Sequence, residues 1–174
     1  VLRYSIMRHK GRVELQSLSL VDDLTSLYNR RGFMLFAQQQ LSIAIRTKRG
    51  MILFFIHIEG LNGITEKLGR QYEDLAKIET ANILKEIFRE SDIIARHGRD
   101  EFTAMAIESF DANNEIIITR LQDELENRNK QENRQYELSL CIGKAYYDTE
   151  ELCTIEELIN RAKKSMIEQK KNTL

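Results

Sequence analysis

The run MILFFIHIE at residues 51–59 constrains the fold most, because its first six residues are all apolar. Successive side chains of a strand point to opposite faces, so a strand of this composition has no face left for solvent. Such strands lie inside sheets that are covered on both sides. The sequence therefore predicts a central strand here, with helices packed against both faces of its sheet.

Two segments on either side of this run have the apolar spacing of amphipathic helices, residues 30–49 and 72–88. The first segment is followed by Gly50, which is predicted to end the helix. The second is predicted to bury one face against the sheet. The apolar residues assigned to that face are Leu75, Ile78, Ile83 and Ile87.

From residue 51 onward the predicted order is strand, helices, strand, strand, helix, strand, helix. Two strand–helix–strand crossings around an antiparallel hairpin are typical of an α+β domain of the ferredoxin-like type, with a mostly antiparallel sheet flanked by helices. The hairpin turns at Gly98 and Arg99, and a Gly-X pair predicts a two-residue type II′ turn. Residues 1–20 are predicted to form an N-terminal helical extension, a signalling helix or stalk, and residues 21–174 the folded domain.

Composition excludes several classes of protein. The 174 residues carry a net charge of −1, which provides no overall field to recruit nucleic acid. No apolar run approaches the ~18 residues that span a bilayer, so this part of the chain is not expected to contact a membrane, although a longer chain could carry a sensor or a membrane segment. Cys141 and Cys153 lack metal-finger spacing and fit a reducing cytosol, which predicts a cytoplasmic domain.

Four polar side chains are expected to meet where the central strand and the hairpin end. Strand alternation puts His57 and Glu59 on one face, and Asp100 and Glu101 follow the hairpin turn. If the two strands are neighbours, these side chains form one patch that could hold Mg²⁺ together with substrate phosphates. The alternative is that the acids are simply solvated, and composition alone favours it.

Several motifs occur along the chain in a fixed order. DDLTSLYNRRGF contains Asp22, the strand of residues 51–59 ends at Glu59, and GRDEF at 98–102 and LSLCIGKAYY at 138–147 follow. Together they resemble the GGDEF family, the catalytic domain of diguanylate cyclases, over about residues 20 to 171. The resemblance implies a fold similar to the adenylyl cyclase core. It also implies an enzyme that condenses two GTP molecules, one on each of two facing domains, into cyclic di-GMP with Mg²⁺ or Mn²⁺.

The chain departs from the family where the resemblance places contacts to metal and phosphate. The family's glycine pair becomes Gly98 and Arg99, and the long Arg99 side chain is expected to displace a substrate whose triphosphate must approach backbone amides. The first metal-binding Asp of the family becomes His57, and imidazole is a poor Mg²⁺ ligand. Asp100 and Glu101 are kept, as the second metal anchor and its neighbour. The resemblance therefore implies a weakened metal site in which these two residues are vestigial catalytic groups.

Contacts to the base are changed as well. The Asn that reads guanine in the family falls at Thr65, whose hydroxyl cannot present an amide's paired donor and acceptor, while its acidic partner remains as Asp74. A substrate-binding Lys of the family becomes Asn62. The phosphate-binding Lys of the last helix is kept as Lys170, and Lys163 stands where the family usually has Asp.

Arg89 and Asp92 form a short Arg-x-x-Asp motif before the hairpin, similar to the family's inhibitory site for cyclic di-GMP. A guanidinium can donate two hydrogen bonds to guanine O6 and N7, and a carboxylate can accept from base amines. The structural alternative is that Arg89 complements a helix C-terminus and Asp92 caps the following turn.

The sequence therefore predicts a degenerate GGDEF domain, catalytically impaired, that acts as a regulatory or nucleotide-binding module for cyclic di-GMP or GTP. One alternative is an active diguanylate cyclase, in which His57 accepts Mn²⁺. A purely structural partner domain is the other. Homodimerisation through the domain or its N-terminal helix is compatible with the sequence, and nucleic acid is not expected as a partner.

Overall fold

The computed structural model describes residues 19–107 and 111–172. The predicted helix over residues 1–20 lies outside these ranges except for Ser19 and Leu20, which are in neither a helix nor a strand. In the part of the chain that is described, no helix is long and apolar enough to cross a membrane.

Within these ranges the order of elements from residue 51 matches the prediction. The elements are β1 (Tyr28–Asn29), α1 (Arg30–Thr47), β2 (Met51–Glu59), α2 (Leu61–Leu68), α3 (Arg70–Ile87), β3 (Ile93–Arg96), β4 (Glu101–Ile107), α4 (Asp111–Asn129), β5 (Ser139–Tyr147) and α5 (Ile155–Asn172).

The strands form one sheet with the order β1-β3-β4-β2-β5. The pairs β3–β4, β4–β2 and β2–β5 are antiparallel, and the short β1 pairs in parallel with its neighbour β3. The predicted α+β class, with a mostly antiparallel sheet flanked by helices, is confirmed. The sheet places the C-terminal end of β2 beside the start of β4, which is the end of the sheet where the candidate site lies.

The strand β2 has the central position that its composition predicted. Every residue from Met51 to Ile56 is at most 1% exposed. Phe54 and Ile56 belong to the core cluster that contains the buried face of α3, whereas Leu53 and Phe55 belong to the cluster that contains buried residues of α1 and α5. Each buried aliphatic or aromatic side chain contributes about 1.5–3 kcal/mol, so this strand anchors both halves of the core.

The helix α1 ends at Thr47, and its cap is Lys48 rather than Gly50. Lys48 has the left-handed backbone conformation with φ 53°, and its N–H donates to Ala44 O. The prediction that Gly50 ends this helix was wrong. Gly50 instead lies against the side chain of Tyr146, which a Cβ at this position would meet. Its lack of a side chain serves a close approach rather than a turn.

The turn between β3 and β4 is longer than the two-residue type II′ turn predicted from Gly98 and Arg99. The N–H groups of His97 and Gly98 both donate to Glu101 O, at 2.8 and 3.0 Å. A type II′ turn needs positive φ at its first central residue, and Gly98 is not among the positive-φ residues. That prediction was wrong, because Asp100 belongs to the turn and does not pair with His97.

The buried face of α3 is also shifted from the predicted one. Ile83 and Ile87 are buried as expected, but Leu75 is exposed. In the first half of the helix, Glu73 and Lys77 take inward positions instead, each 5% exposed. The spacing of apolar residues did not predict these buried positions, because two charged side chains that bond to each other can be buried as a pair.

Candidate functional site

The end of β2 and the β3–β4 turn meet at one end of the sheet. His57 lies opposite Glu101 in the antiparallel register, and the N–H of Ile58 donates to Asp100 O at 2.9 Å. The structure therefore brings the predicted polar side chains at these strand ends together. Their surroundings differ from a patch of free carboxylates, because basic side chains lie among them.

Two lysines of α5 bond to carboxylates of this patch. Lys163 Nζ lies 3.0 Å from Glu101 Oε1, and Lys170 Nζ lies 2.9 Å from Glu59 Oε1. The hydrogen bond from Lys170 is the main cause that holds the pKa of Glu59 below its usual value, and burial of this carboxyl acts in the opposite direction. The helix α5 thus supplies the patch with two ammonium groups.

His57 completes this pattern of pairing. Its Nε2 lies 3.2 Å from Asp100 Oδ2, and its Nδ1 lies 3.5 Å from Lys170 Nζ. The neutral imidazole satisfies both contacts when Nε2–H donates to the carboxylate and Nδ1 accepts from the ammonium. Both ring nitrogens are then engaged within the protein.

The residues predicted to bind a metal, Asp100, His57 and Glu101, do not fit a divalent cation in this arrangement. Mg²⁺ takes oxygen ligands in near-octahedral geometry. Here Asp100 is bonded to an imidazole and Glu101 to the ammonium of Lys163. Among residues 19–107 and 111–172, no three His, Cys, Asp or Glu side chains are grouped so that they could hold a metal ion.

Arg99 extends from the turn to two helices on the other side of the site. Its Nε donates to Glu73 Oε1 of α3 at 3.0 Å, and its Nη1 donates to Asn62 Oδ1 of α2 at 3.0 Å. Two of the predicted substrate-binding residues, Arg99 and Asn62, are therefore bonded to each other. The guanidinium lies across the space between the turn and the corner formed by α2 and α3.

Glu73 receives three donors although its side chain is buried. Besides Arg99, Lys77 Nζ donates to Oε1 at 2.7 Å, and the hydroxyl of Thr65 lies 2.7 Å from Oε2. These hydrogen bonds, that of Arg99 first, hold the pKa of Glu73 far below its usual value. Sequence reasoning missed Glu73 and Lys77. The available signal was an acid and a lysine four residues apart on a helix face that is otherwise apolar.

The predicted base contacts Thr65 and Asp74 have different environments. Thr65 is bonded to Glu73 and lies 2.9 Å from Leu61 O, so its hydroxyl is already engaged within the protein. Asp74 is half exposed, with its Oδ1 3.6 Å from Lys77 Nζ. Its carboxylate faces a cavity of about 330 Å³, whose lining residues are Arg70, Glu73, Asp74, Lys77 and Arg99.

Arg96 holds the backbone of the turn in place. Its Nε donates to Gly98 O at 3.1 Å and its Nη2 donates to Arg99 O at 3.2 Å. Its Nη1 donates to Asp22 Oδ1 at 3.1 Å, and Asp22 also accepts from the N–H and hydroxyl of Thr25. The Asp and Thr of the DDLT motif therefore form a compact turn that supports the β3–β4 hairpin.

Arg89 and Asp92 lie at a second, smaller cavity. Asp92 accepts hydrogen bonds from the N–H of Arg89 at 2.9 Å and of Ile107 at 3.0 Å, so its carboxylate is bonded to the backbone of the turn that precedes it and to the end of β4. A carboxylate has about four acceptor positions, so these bonds leave capacity for a ligand. The cavity measures about 140 Å³, and Arg120 of α4 lines it together with Arg89 and Asp92.

Arg120 is a residue that sequence reasoning missed. It is distant from Arg89 along the chain, and only the packing of α4 beside α3 brings the two guanidinium groups to one cavity. In the described ranges, neither guanidinium has a carboxylate partner. Two such cations beside Ile87, Ile116 and other apolar side chains suit an anionic ligand with a flat apolar part.

Comparison with known sequences agrees with the motifs. The family model described as "Diguanylate cyclase, GGDEF domain" matches residues 19–173. The chain is similar to the bifunctional diguanylate cyclase/cyclic di-GMP phosphodiesterase MucR of Pseudomonas aeruginosa, with 29% identity over 147 residues. That match covers 84% of this chain and 22% of the relative, so the chain spans about a fifth of the length of this curated relative.

Comparison with solved structures agrees with the fold. The GGDEF domain of FimX from Pseudomonas aeruginosa is similar, with a TM-score of 0.78, 26% identity, and coverage of 87% of this chain and 93% of that chain. The GGDEF domain of DgcB from Caulobacter crescentus, solved in complex with c-di-GMP, has a TM-score of 0.79 at 18% identity. The match covers 88% of this chain and 89% of the DgcB chain. At 18% identity the likeness concerns the fold alone.

Proposed function

The chain belongs to the GGDEF family, and from this membership we propose that it is a regulatory, nucleotide-binding domain of cyclic di-GMP signalling with little or no cyclase activity. Diguanylate cyclases of this family generally use Mg²⁺. The observation that supports the proposal is that two of the predicted metal ligands are bonded within the chain, Asp100 to the imidazole of His57 and Glu101 to the ammonium of Lys163. Lys163 stands where the family usually has Asp, and its charge, 3.0 Å from Glu101, repels a divalent cation and competes for this ligand.

The experiment that tests the loss of catalysis is incubation of the purified protein with GTP and either Mg²⁺ or Mn²⁺. We expect no cyclic di-GMP above the level of a reaction without protein. Both metals are needed, because the imidazole of His57 suits Mn²⁺ better than Mg²⁺. Clear formation of cyclic di-GMP with either metal would contradict the proposal and favour the alternative of an active diguanylate cyclase.

We also propose that cyclic di-GMP binds at the cavity lined by Arg89, Asp92 and Arg120. Two guanidinium groups without acidic partners in the described ranges can each donate two parallel hydrogen bonds to a guanine edge or a phosphate. The apolar side chains beside them offer contact to the flat face of a base. DgcB provides a relative of the same fold that was solved with this dinucleotide.

Calorimetry with cyclic di-GMP tests this site. Arg89→Ala and Arg120→Ala should each weaken binding by at least about tenfold, since each removes a charge-assisted bidentate contact. Arg161→Ala is the matched control, because it removes an exposed arginine that pairs with Glu151 instead of lining the cavity. Unchanged affinity in both cavity variants would reject the site.

The two backbone bonds of Asp92 favour a second candidate function, a purely structural partner domain. This candidate predicts that calorimetry detects neither GTP nor cyclic di-GMP at millimolar concentration. A cytoplasmic location, a signalling helix over residues 1–20 and homodimerisation through the domain or that helix stay proposals that accompany either function.

A further inference from the structure

Arg99 is one of the residues that line the 330 Å³ cavity between the turn and the α2–α3 corner. Its side chain is 53% exposed, yet its guanidinium is held at two atoms by acceptors on two different helices. An exposed arginine usually samples many rotamers, and fixing it costs conformational entropy. The two bonds to Glu73 and Asn62 offset that cost because one acceptor is a buried carboxylate.

Arg99 occupies acceptors that lie beside the predicted base contacts Thr65 and Asp74. Asn62 Oδ1 and Glu73 Oε1 each accept one N–H of the guanidinium, and Thr65 is engaged with the other oxygen of Glu73. The amino and imino groups of a purine are also N–H donors, so they compete with Arg99 for the same oxygens. Steric exclusion adds to this competition, since the guanidinium lies in the path between the turn and the two helices.

The turn does not need the Arg99 side chain to keep its shape. The backbone carbonyls of Gly98 and Arg99 accept hydrogen bonds from Arg96, which is itself bonded to Asp22. Truncating Arg99 therefore removes the occupant of the cavity and leaves the backbone support intact. The closure of the cavity and the shape of the turn rest on different side chains.

From these contacts we infer that Arg99 is an internal occupant that keeps this cavity closed to purine nucleotides, and that its bond to Glu73 determines which ligands the domain accepts. This inference rests on the proposed function, because the nucleotide class comes from it. In the wild-type protein the cavity rejects GTP, and removal of the guanidinium admits it. The second cavity at Arg89 is unaffected, because none of the residues that hold Arg99 lines it.

The test is calorimetry with GTP in EDTA and again with Mg²⁺, on the wild type, Arg99→Ala, Asn62→Ala and Arg161→Ala. We expect Arg99→Ala to bind GTP at least about tenfold more tightly than the wild type. Asn62→Ala, which removes one of the two anchors of Arg99, should show a smaller increase. Arg161→Ala removes an arginine of similar exposure, 47%, from an exposed ion pair and should not change the affinity.

Two results would overturn the inference. One is tight GTP binding by the wild type, and the other is unchanged GTP affinity in Arg99→Ala while circular dichroism and thermal unfolding match the wild type. If Arg99→Ala fails to fold, the GTP affinity of Asn62→Ala tests the inference by itself. A GTP affinity equal to that of the wild type would then reject the role given to Arg99. Binding of cyclic di-GMP and formation of product, measured on the same samples, report on the proposed function separately.

Discussion

Glu73 places a carboxylate among the inward-facing side chains of α3, where only 5% of the residue is exposed. A buried charge costs several kcal/mol unless charges and hydrogen bonds compensate it. Lys77, Arg99 and Thr65 supply that compensation from two helices and the hairpin turn. At the residue scale, one carboxylate therefore connects α2, α3 and the hairpin turn. Its removal should lower the free energy of unfolding and also change ligand binding.

Glu73→Gln should lower the free energy of unfolding by about 3 kcal/mol, because it leaves the buried ammonium of Lys77 without its nearest carboxylate. Urea denaturation followed by circular dichroism measures this change. Asp74→Asn is the matched control: its carboxylate is half exposed and 3.6 Å from the same ammonium, so the loss should stay within about 0.5 kcal/mol. Equal losses in the two variants would contradict the role given to Glu73.

The same carboxylate predicts a pH dependence. Hydrogen bonds to Arg99, Lys77 and Thr65 lower the pKa of Glu73 from its usual value of 4.5. The contribution of this carboxylate to stability is therefore complete above about pH 4.5, the pKa in the unfolded chain, and is lost as the pH falls toward the lower pKa of the folded protein. The stability difference between wild type and Glu73→Gln should therefore be constant from pH 7 to about pH 5 and shrink toward pH 3. Glu59 and Glu79 also have lowered pKa values, but they are present in both proteins and cancel in the difference. A difference that grows on acidification would contradict this sign.

At the scale of elements, the contact between β5 and α5 positions both lysines of the patch. Gly143 of β5 lies so close to α5 that a Cβ would meet Ala162 O and Met166 N of the helix backbone. Helix backbone cannot rotate aside as a side chain can. This glycine therefore sets how near α5 lies to the sheet, and with it where Lys163 and Lys170 reach the carboxylates.

Gly143→Ala should destabilise the domain by about 3 kcal/mol, because the added methyl group has to push α5 away from β5. Gly50→Ala is the matched control, since its Cβ would meet the end of the Tyr146 side chain, which can rotate into solvent. We expect that variant to lose less than about 1 kcal/mol. Thermal and urea unfolding compare the two, and a larger loss in Gly50→Ala would show that α5 is not held by this approach.

The helices and strands were predictable where burial follows from a run of neighbouring residues in the sequence. The run from Met51 to Ile56 predicted a central strand because its composition alone rules out an exposed face. The partners of charged side chains were not predictable in the same way. Arg99 finds Glu73, and Arg120 joins Arg89, only after helices have packed, so no spacing along the chain contains those contacts. The resemblance placed Arg99 at the site, but the structure was needed to show what it binds.

At the scale of the whole molecule, ligands should report on the two cavities through thermal stability. A ligand that binds only the folded state at 100 times its Kd adds about 2.7 kcal/mol of stability. For a domain of this size that corresponds to roughly 5–10 °C in Tm. We expect cyclic di-GMP to raise the Tm by this amount in the wild type and, at the same ligand concentration, by no more than about half of it in Arg89→Ala, because a tenfold higher Kd leaves about 1.4 kcal/mol of stabilisation.

Millimolar Mg²⁺ without nucleotide should shift the Tm by less than about 1 °C, because the carboxylates that would bind it are bonded to basic groups. Differential scanning fluorimetry in EDTA and in Mg²⁺ measures both ligand effects on the same protein. A Mg²⁺ shift as large as that of cyclic di-GMP would contradict the description of the carboxylate patch.

The hydrogen bonds of Arg96 connect the first residues of the domain to the β3–β4 turn. Leu20 O accepts a hydrogen bond from the N–H of Asn29, which caps α1. Asp22 accepts from the guanidinium of Arg96, whose other N–H groups donate to the carbonyls of Gly98 and Arg99. The chain beside Leu20 and the backbone that carries Arg99 are therefore joined through one guanidinium. A displacement of Asp22 is thus expected to shift the turn, and with it the side chain that we propose excludes GTP.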